Sequence, residues 1–180
     1  MKGMVFTEFL EFVERRFGDE MVDDVIETAD VPNGGAYTAV GTYSHGEMVA
    51  LVVALSEKTG APAETLVREF GEALSDTFAR DFPDFFRRAG NLFDFLASIE
   101  DHIHVEVRKL YADAELPTFT VESRTPARMV IVYRSPRKMG HLSEGLIIGS
   151  GRQYGVDVRV HSEHLEAGDG MAVRFTIDLA

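Results

Sequence analysis

Apolar residues recur at three- and four-residue steps through the first two-thirds of the chain, then at every second position through the last third. Phe6, Phe9, Leu10, Val13 and Phe17 follow the helical repeat, and Gly18 is a natural stop. A second short helix fits Glu20 to Thr28, closed by the turn residues of Pro32 to Gly35. Helical patterns return from Ser44 to Thr59 with Gly60 behind it, from Pro62 to about Phe86, and from about Asn91 to Tyr111. Beyond Pro117 the period shortens. TFTVESRT, ARMVIVYRS, VDVRVHS and AVRFTIDL alternate as strands do, and one amphipathic segment, Gly140 to about Tyr154, interrupts them as a helix. Helices first and strands afterwards predict an α+β fold: a helical N-terminal lobe followed by a roughly four-stranded antiparallel sheet with an inserted helix. No repeat or linker divides the chain, so residues 1–180 read as a single domain with two lobes.

Composition narrows the chemistry. A formal charge of −12 argues against nucleic acid, which needs a basic face. There are no cysteines, which excludes disulfides, thiolate metal sites and thiol redox chemistry. The opening MKGMVFTEFLEFVERRFG is broken by Glu8, Glu11, Glu14, Arg15 and Arg16, so it is neither signal peptide nor membrane span. A soluble cytoplasmic domain with no membrane contact is the expectation.

Two constellations carry candidate chemistry. In DHIHVEVRKLYADAELP, His102 and His104 stand two apart. As a strand, His102, His104 and Glu106 would share a face and converge on one metal. The flanking Leu92, Leu96, Ile99, Ile103, Val107 and Leu110 are spaced for a helix, where residues two apart point about 200° from each other. At most one histidine then faces a buried site, either as a partly buried hydrogen-bonded residue or as a single metal ligand. The second constellation is VYRSPRKM, in which Tyr133, Ser135 and Arg137 form Y-x-S-x-R. An extended backbone sets these side chains on one face, with Pro136 marking a strand end or edge. A phenol, a hydroxyl and a guanidinium together suit a carboxylate or phosphate, although a solvated strand end fits the triplet equally. Between Arg108 and Lys138 seven basic residues face three acidic ones, a basic island in an acidic chain.

Taken together, these motifs resemble the heme nitric oxide/oxygen binding (H-NOX) family, bacterial stand-alone type, which is related to the heme domain of soluble guanylate cyclase. The resemblance runs from MKGMVFTEFLE through GGAYTAVGTY and ALSEKTG to IEDHIHVEVRKLYADAELP and YRSPRK. It implies a heme b between the lobes with His104 as its proximal iron ligand and His102 as a bystander. Tyr133, Ser135 and Arg137 would hold the propionates, which would account for the basic island, and Pro117 would press on the porphyrin. The distal pocket maps onto Val5, Phe9, Leu74, Phe78, Leu142 and Leu146, all apolar. Leu142 stands where oxygen-holding members carry tyrosine, which favours nitric oxide, with carbon monoxide as a further ligand. The cysteine-based zinc site of some relatives has no counterpart here.

The resemblance further implies a sensor, not an enzyme. Nitric oxide weakens the bond from His104, the lobes shift, and a partner reads the shift. With no kinase, cyclase or methyl-accepting segment before Ala180, output is expected in trans, on a histidine kinase or a cyclic-di-GMP enzyme. The alternatives are a peroxidase-type heme enzyme, which would need a distal acid–base residue, and a scaffold for a non-heme anionic ligand. GSGRQYG, at Gly149 to Gly155, resembles a phosphate loop but follows a helix, so a helix stop is expected there.

Overall fold

The Phe6–Phe9–Val13 repeat becomes α1 (Gly3–Phe17) of a computed structural model that describes every residue except Ala167 and Asp169. Gly18 turns the chain directly into α2 (Asp19–Ala29). Helix α3 (His45–Thr59) starts on a capping box: Ser44 Oγ accepts from Gly46 N–H, and Glu47 Oε1 accepts from Ser44 N–H. The chain forms two compact units, Met1–Phe70 and Gly71–Ala180, divided within α4 (Ala63–Asp81). In the first unit, Phe6, Phe9, Phe12 and Val13 of α1 are buried with Met48, Leu51 and Leu55 of α3 and with Leu66 and Phe70 of α4. The Phe9 ring meets Phe70 edge-on at 5.2 Å.

Two of the predicted helices are not continuous. The span from Pro62 to Phe86 breaks at Phe82, giving α4 and a separate short helix α5 (Pro83–Arg88). Pro83 has no N–H to continue the ladder and forces the preceding residue out of the helical region, where Phe82 sits at φ −127°, ψ 53°. The apolar spacing of Phe78, Phe82 and Phe86 hides that break. The span from Asn91 to Tyr111 consists of α6 (Leu92–Ser98), a π turn (Ile99–Ile103) and α7 (His104–Leu110). In the π turn the N–H of His104 donates to the carbonyl of Ile99, five residues back.

The four strands β1 (Thr118–Arg124), β2 (Arg128–Ser135), β3 (Val158–Leu165) and β4 (Met171–Leu179) form an antiparallel sheet in the order β1-β2-β4-β3. Its inner face carries Met129, Ile131 and Tyr133 of β2 and Val173, Phe175 and Ile177 of β4. These bury against Leu92, Phe93, Phe95 and Leu96 of α6 and Ile147 of α8 (Gly140–Gln153). On the outer face Arg174 donates to Glu122, which sits at the bulge in β1, and to Glu163 of β3. β3 begins two residues later than its alternation implies. Val156 instead closes α8 in a Schellman turn, its N–H on Gly151 O and Gly155 left-handed at φ 67°. GSGRQYG is therefore a helix end.

Within the second unit, α4 and α8 cross at backbone contact. A Cβ on Gly71 would run into the carbonyl oxygen of Leu142, and one on Gly149 would stand 2.6 Å from Ser75 Cβ and 2.8 Å from Glu72 O. The buried hydroxyls of Ser75 and Ser150 meet at 3.3 Å in the same crossing. Gly149→Val has nowhere to put its side chain without prising the helices apart. It is expected to destabilise the fold by about 1–3 kcal/mol, measured as a lower midpoint in urea unfolding.

Candidate functional site

His104 is the first residue of α7, placed there by the π turn, and only 7% of its surface is exposed. Its Nδ1 lies 3.2 Å from Glu100 Oε2. Because a carboxylate can only accept, Nδ1 carries the proton and the lone pair resides on Nε2. Burial holds the imidazole below its ordinary pKa, against the opposing pull of Glu100, so the neutral form suited to metal ligation is favoured at neutral pH. His102 is half-buried and turned elsewhere, with Nε2 at 2.8 Å from Arg88 and its ring edge-on to Phe85 at 6.1 Å. Among the described residues no three His, Cys, Asp or Glu side chains converge on a metal position. A lone imidazole of this kind fits a metal whose other positions a cofactor fills, as in a heme.

From His104 the site continues through Phe119 of β1, 5.9 Å between rings, to Tyr133 on β2, 5.6 Å further. Phe119 and Tyr133 are cross-strand partners, so the sheet register sets this line. The Tyr133 hydroxyl faces Ser135, Ser143 and the backbone of Met139, whose polar groups favour its ionised form. Burial outweighs them and pushes its pKa up, so it stays a phenol. Tyr133 and Ser135 share the inner face of β2, but Arg137 does not extend that face. The strand ends at Ser135, and Pro136 and Arg137 form a turn in which Arg137 N–H donates to Ser135 Oγ at 3.1 Å. The Arg137 fork closes instead on Glu115, with Nη1 on its carbonyl at 2.7 Å and Nη2 on its carboxylate at 2.8 Å.

Most of the basic island is likewise neutralised. Arg108 faces Glu100, Lys109 faces Glu106, Arg124 faces Asp94 and Arg128 faces Asp178. The windowed charge count missed partners that come from α6, the π turn and β4.

The apolar residues mapped to a distal wall fall in two places. Leu74, buried, and Phe78 lie on α4, and Leu142 and Leu146 lie on α8, the two helices joined at the Gly71–Gly149 crossing. Ser143 of α8 lies near the Tyr133 hydroxyl of β2. Val5 and Phe9 lie on α1 in the first unit, Phe9 fully buried in its core. Pro117 is half-buried immediately before β1. His141 stands on the Glu144 side of α8, its Nδ1 3.6 Å from Glu144 Oε2, which itself accepts from Ser162 of β3. Sequence reasoning missed Glu100 and Phe119 as members of the site. The i, i+4 spacing of Glu100 and His104 was the available signal.

A family model described as Haem-NO-binding matches residues 2–162. Over its whole length the chain superimposes on 97% of the Fe(II) unliganded H-NOX protein from K. algicida, with a TM-score of 0.93 and 37% identity. It likewise superimposes on 99% of an H-NOX protein from S. oneidensis in the Fe(II)NO ligation state, with a TM-score of 0.90. At 22% identity that likeness concerns the fold alone. Soluble guanylate cyclase 89Db of Drosophila melanogaster is 29% identical over 139 residues, 76% of this chain, and the match spans about a fifth (20%) of that protein.

Proposed function

The chain belongs to the Haem-NO-binding family, whose members are heme-binding gas sensors, and from that premise we propose that it holds heme b through His104 and responds to nitric oxide. The observation that carries this reading is the buried His104, with Nδ1 fixed on Glu100 and Nε2 left as the donor nitrogen. When bound, the heme would supply a ferrous iron, held by His104, as the site for nitric oxide or carbon monoxide.

The chain's own residues do the rest. Tyr133, Ser135 and Arg137 receive the propionates, and Arg137 exchanges the carboxylate of Glu115 for a propionate of the same chemistry. Pro117 bears on the porphyrin from the segment leading into β1. Leu74, Phe78, Leu142 and Leu146 exclude water and offer no hydrogen-bond donor. A distal role for Val5 and Phe9 is carried by family resemblance alone. Loss of the His104 tether would free the start of α7, and a partner in trans, a histidine kinase or a cyclic-di-GMP enzyme, would respond to the altered surface. A peroxidase reading finds no acid–base group among the mapped wall residues.

Among the described residues no helix is long and apolar enough to cross a membrane. On this reading the whole chain acts as one sensor domain in the cytoplasm. Absorption spectroscopy tests the reading. The protein reconstituted with heme is expected to show a Soret band that shifts when nitric oxide is added, and reconstitution without such a band would refute it.

A further inference from the structure

One oxygen of Glu100 serves two elements. Oε2 accepts from His104 Nδ1–H at 3.2 Å and from the backbone N–H of Phe119 at 3.1 Å, while Oε1 lies 3.7 Å from Arg108. β1 is an edge strand whose strand neighbour among the described residues is β2, so this N–H finds a carboxylate in place of another strand. Glu100 stands inside the π turn that delivers His104, and 30% of its side chain is exposed.

We propose that Glu100 is the positioning residue of this sensor: it sets how firmly His104 holds its ligand and couples the departure of His104 to β1. The proposal rests on the heme-sensor reading above. An anionic acceptor on Nδ1–H keeps the lone pair on Nε2 and raises its donor strength, so the tether is tighter than a free imidazole would give. When His104 moves away and its Nδ1–H draws Oε2 along, the carboxylate gives up Phe119 N–H, and β1 loses its acceptor as the π turn rearranges, because the two donors share one atom.

Glu100→Gln and Glu100→Ala in the heme-loaded protein separate this from a merely structural role. In Glu100→Gln the iron–imidazole stretching vibration, read by resonance Raman, is expected at lower frequency. Imidazole loss after nitric oxide addition is expected about 10–100-fold faster, the usual effect of removing a ligand's outer partner. Amide hydrogen exchange at Phe119 should be largely kept in the glutamine variant, whose carbonyl still accepts, and should be about tenfold or more faster in Glu100→Ala. Unchanged vibration and loss rate in both variants, with heme held by His104, would overturn the proposal and leave the sensor reading intact. A protein that takes up no heme sinks the sensor reading instead. In that case Phe119 exchange in the apoprotein still decides the bridge, which fails if Glu100→Ala leaves the exchange unchanged.

Discussion

His104→Gly is expected to abolish the bond between protein and iron while leaving a cavity that free imidazole can fill. Changing only an outer partner of a metal ligand costs about 10–100-fold in affinity, so removing the ligand itself should weaken heme retention by at least about a hundredfold. Added imidazole should restore the Soret band, since Tyr133, Ser135 and the Glu100–Phe119 hydrogen bond do not depend on the missing ring. Glycine at the start of α7 also costs about 1 kcal/mol in helix propensity, and the imidazole rescue distinguishes that loss from loss of the ligand. His102→Gly should leave the spectrum nearly unchanged, because that ring contacts Arg88 and Phe85 rather than the line from His104 to Tyr133. Heme binding lost with His102 and kept without His104 would move the ligand to the other histidine.

Periodicity carried most of the architecture. The four strands and the helices α1, α3 and α8 lie within a few residues of their apolar patterns; α1 and α3 bury one face in the first unit, and β2, β4 and α8 bury one in the second. The breaks were harder to read. Pro83 interrupts a run of phenylalanines whose spacing stays helical on both sides, so the pattern outweighed a local rule that pointed the other way. The π turn leaves no mark in residue type, since one extra residue per turn changes the direction of side chains and not their chemistry. It nevertheless decides which histidine is buried.

Alternation puts Arg137 on a strand face, but a strand ends where its ladder does. Pro136 then sends the guanidinium to Glu115. The same limit applies to charge. The island from Arg108 to Lys138 is real in sequence, but ion pairing draws its partners from Asp94, Glu100 and Asp178, residues outside the window. Glu100 shows the limit of local spacing most clearly. Its i, i+4 relation to His104 is legible, whereas its grip on Phe119 depends on β1 folding alongside the π turn.

Leu142→Tyr is expected to raise oxygen affinity by about one to two decades and to change nitric oxide binding little. Oxygen draws negative charge onto its outer atom as it binds ferrous iron and gains from a nearby donor. A hydrogen bond to a charged group contributes about 1.5–3 kcal/mol, and about 1.4 kcal/mol is a factor of ten. Nitric oxide bonds strongly to ferrous iron without that help. Leu74, Phe78, Leu142 and Leu146 provide no donor, so the unaltered protein should not retain oxygen in air and should report nitric oxide in its presence. Backbone geometry favours Leu142 as the position to change. Its carbonyl lies against Gly71 of α4, on the side of α8 that meets Leu74's helix, whereas His141 lies beside Glu144, which bonds to Ser162 of β3. Oxygen titration of the wild type, Leu142→Tyr and His141→Ala checks the assignment. A wild-type protein that holds oxygen for long periods in air, and loses it in His141→Ala, would place an imidazole donor in the pocket and remove the basis for nitric oxide selectivity.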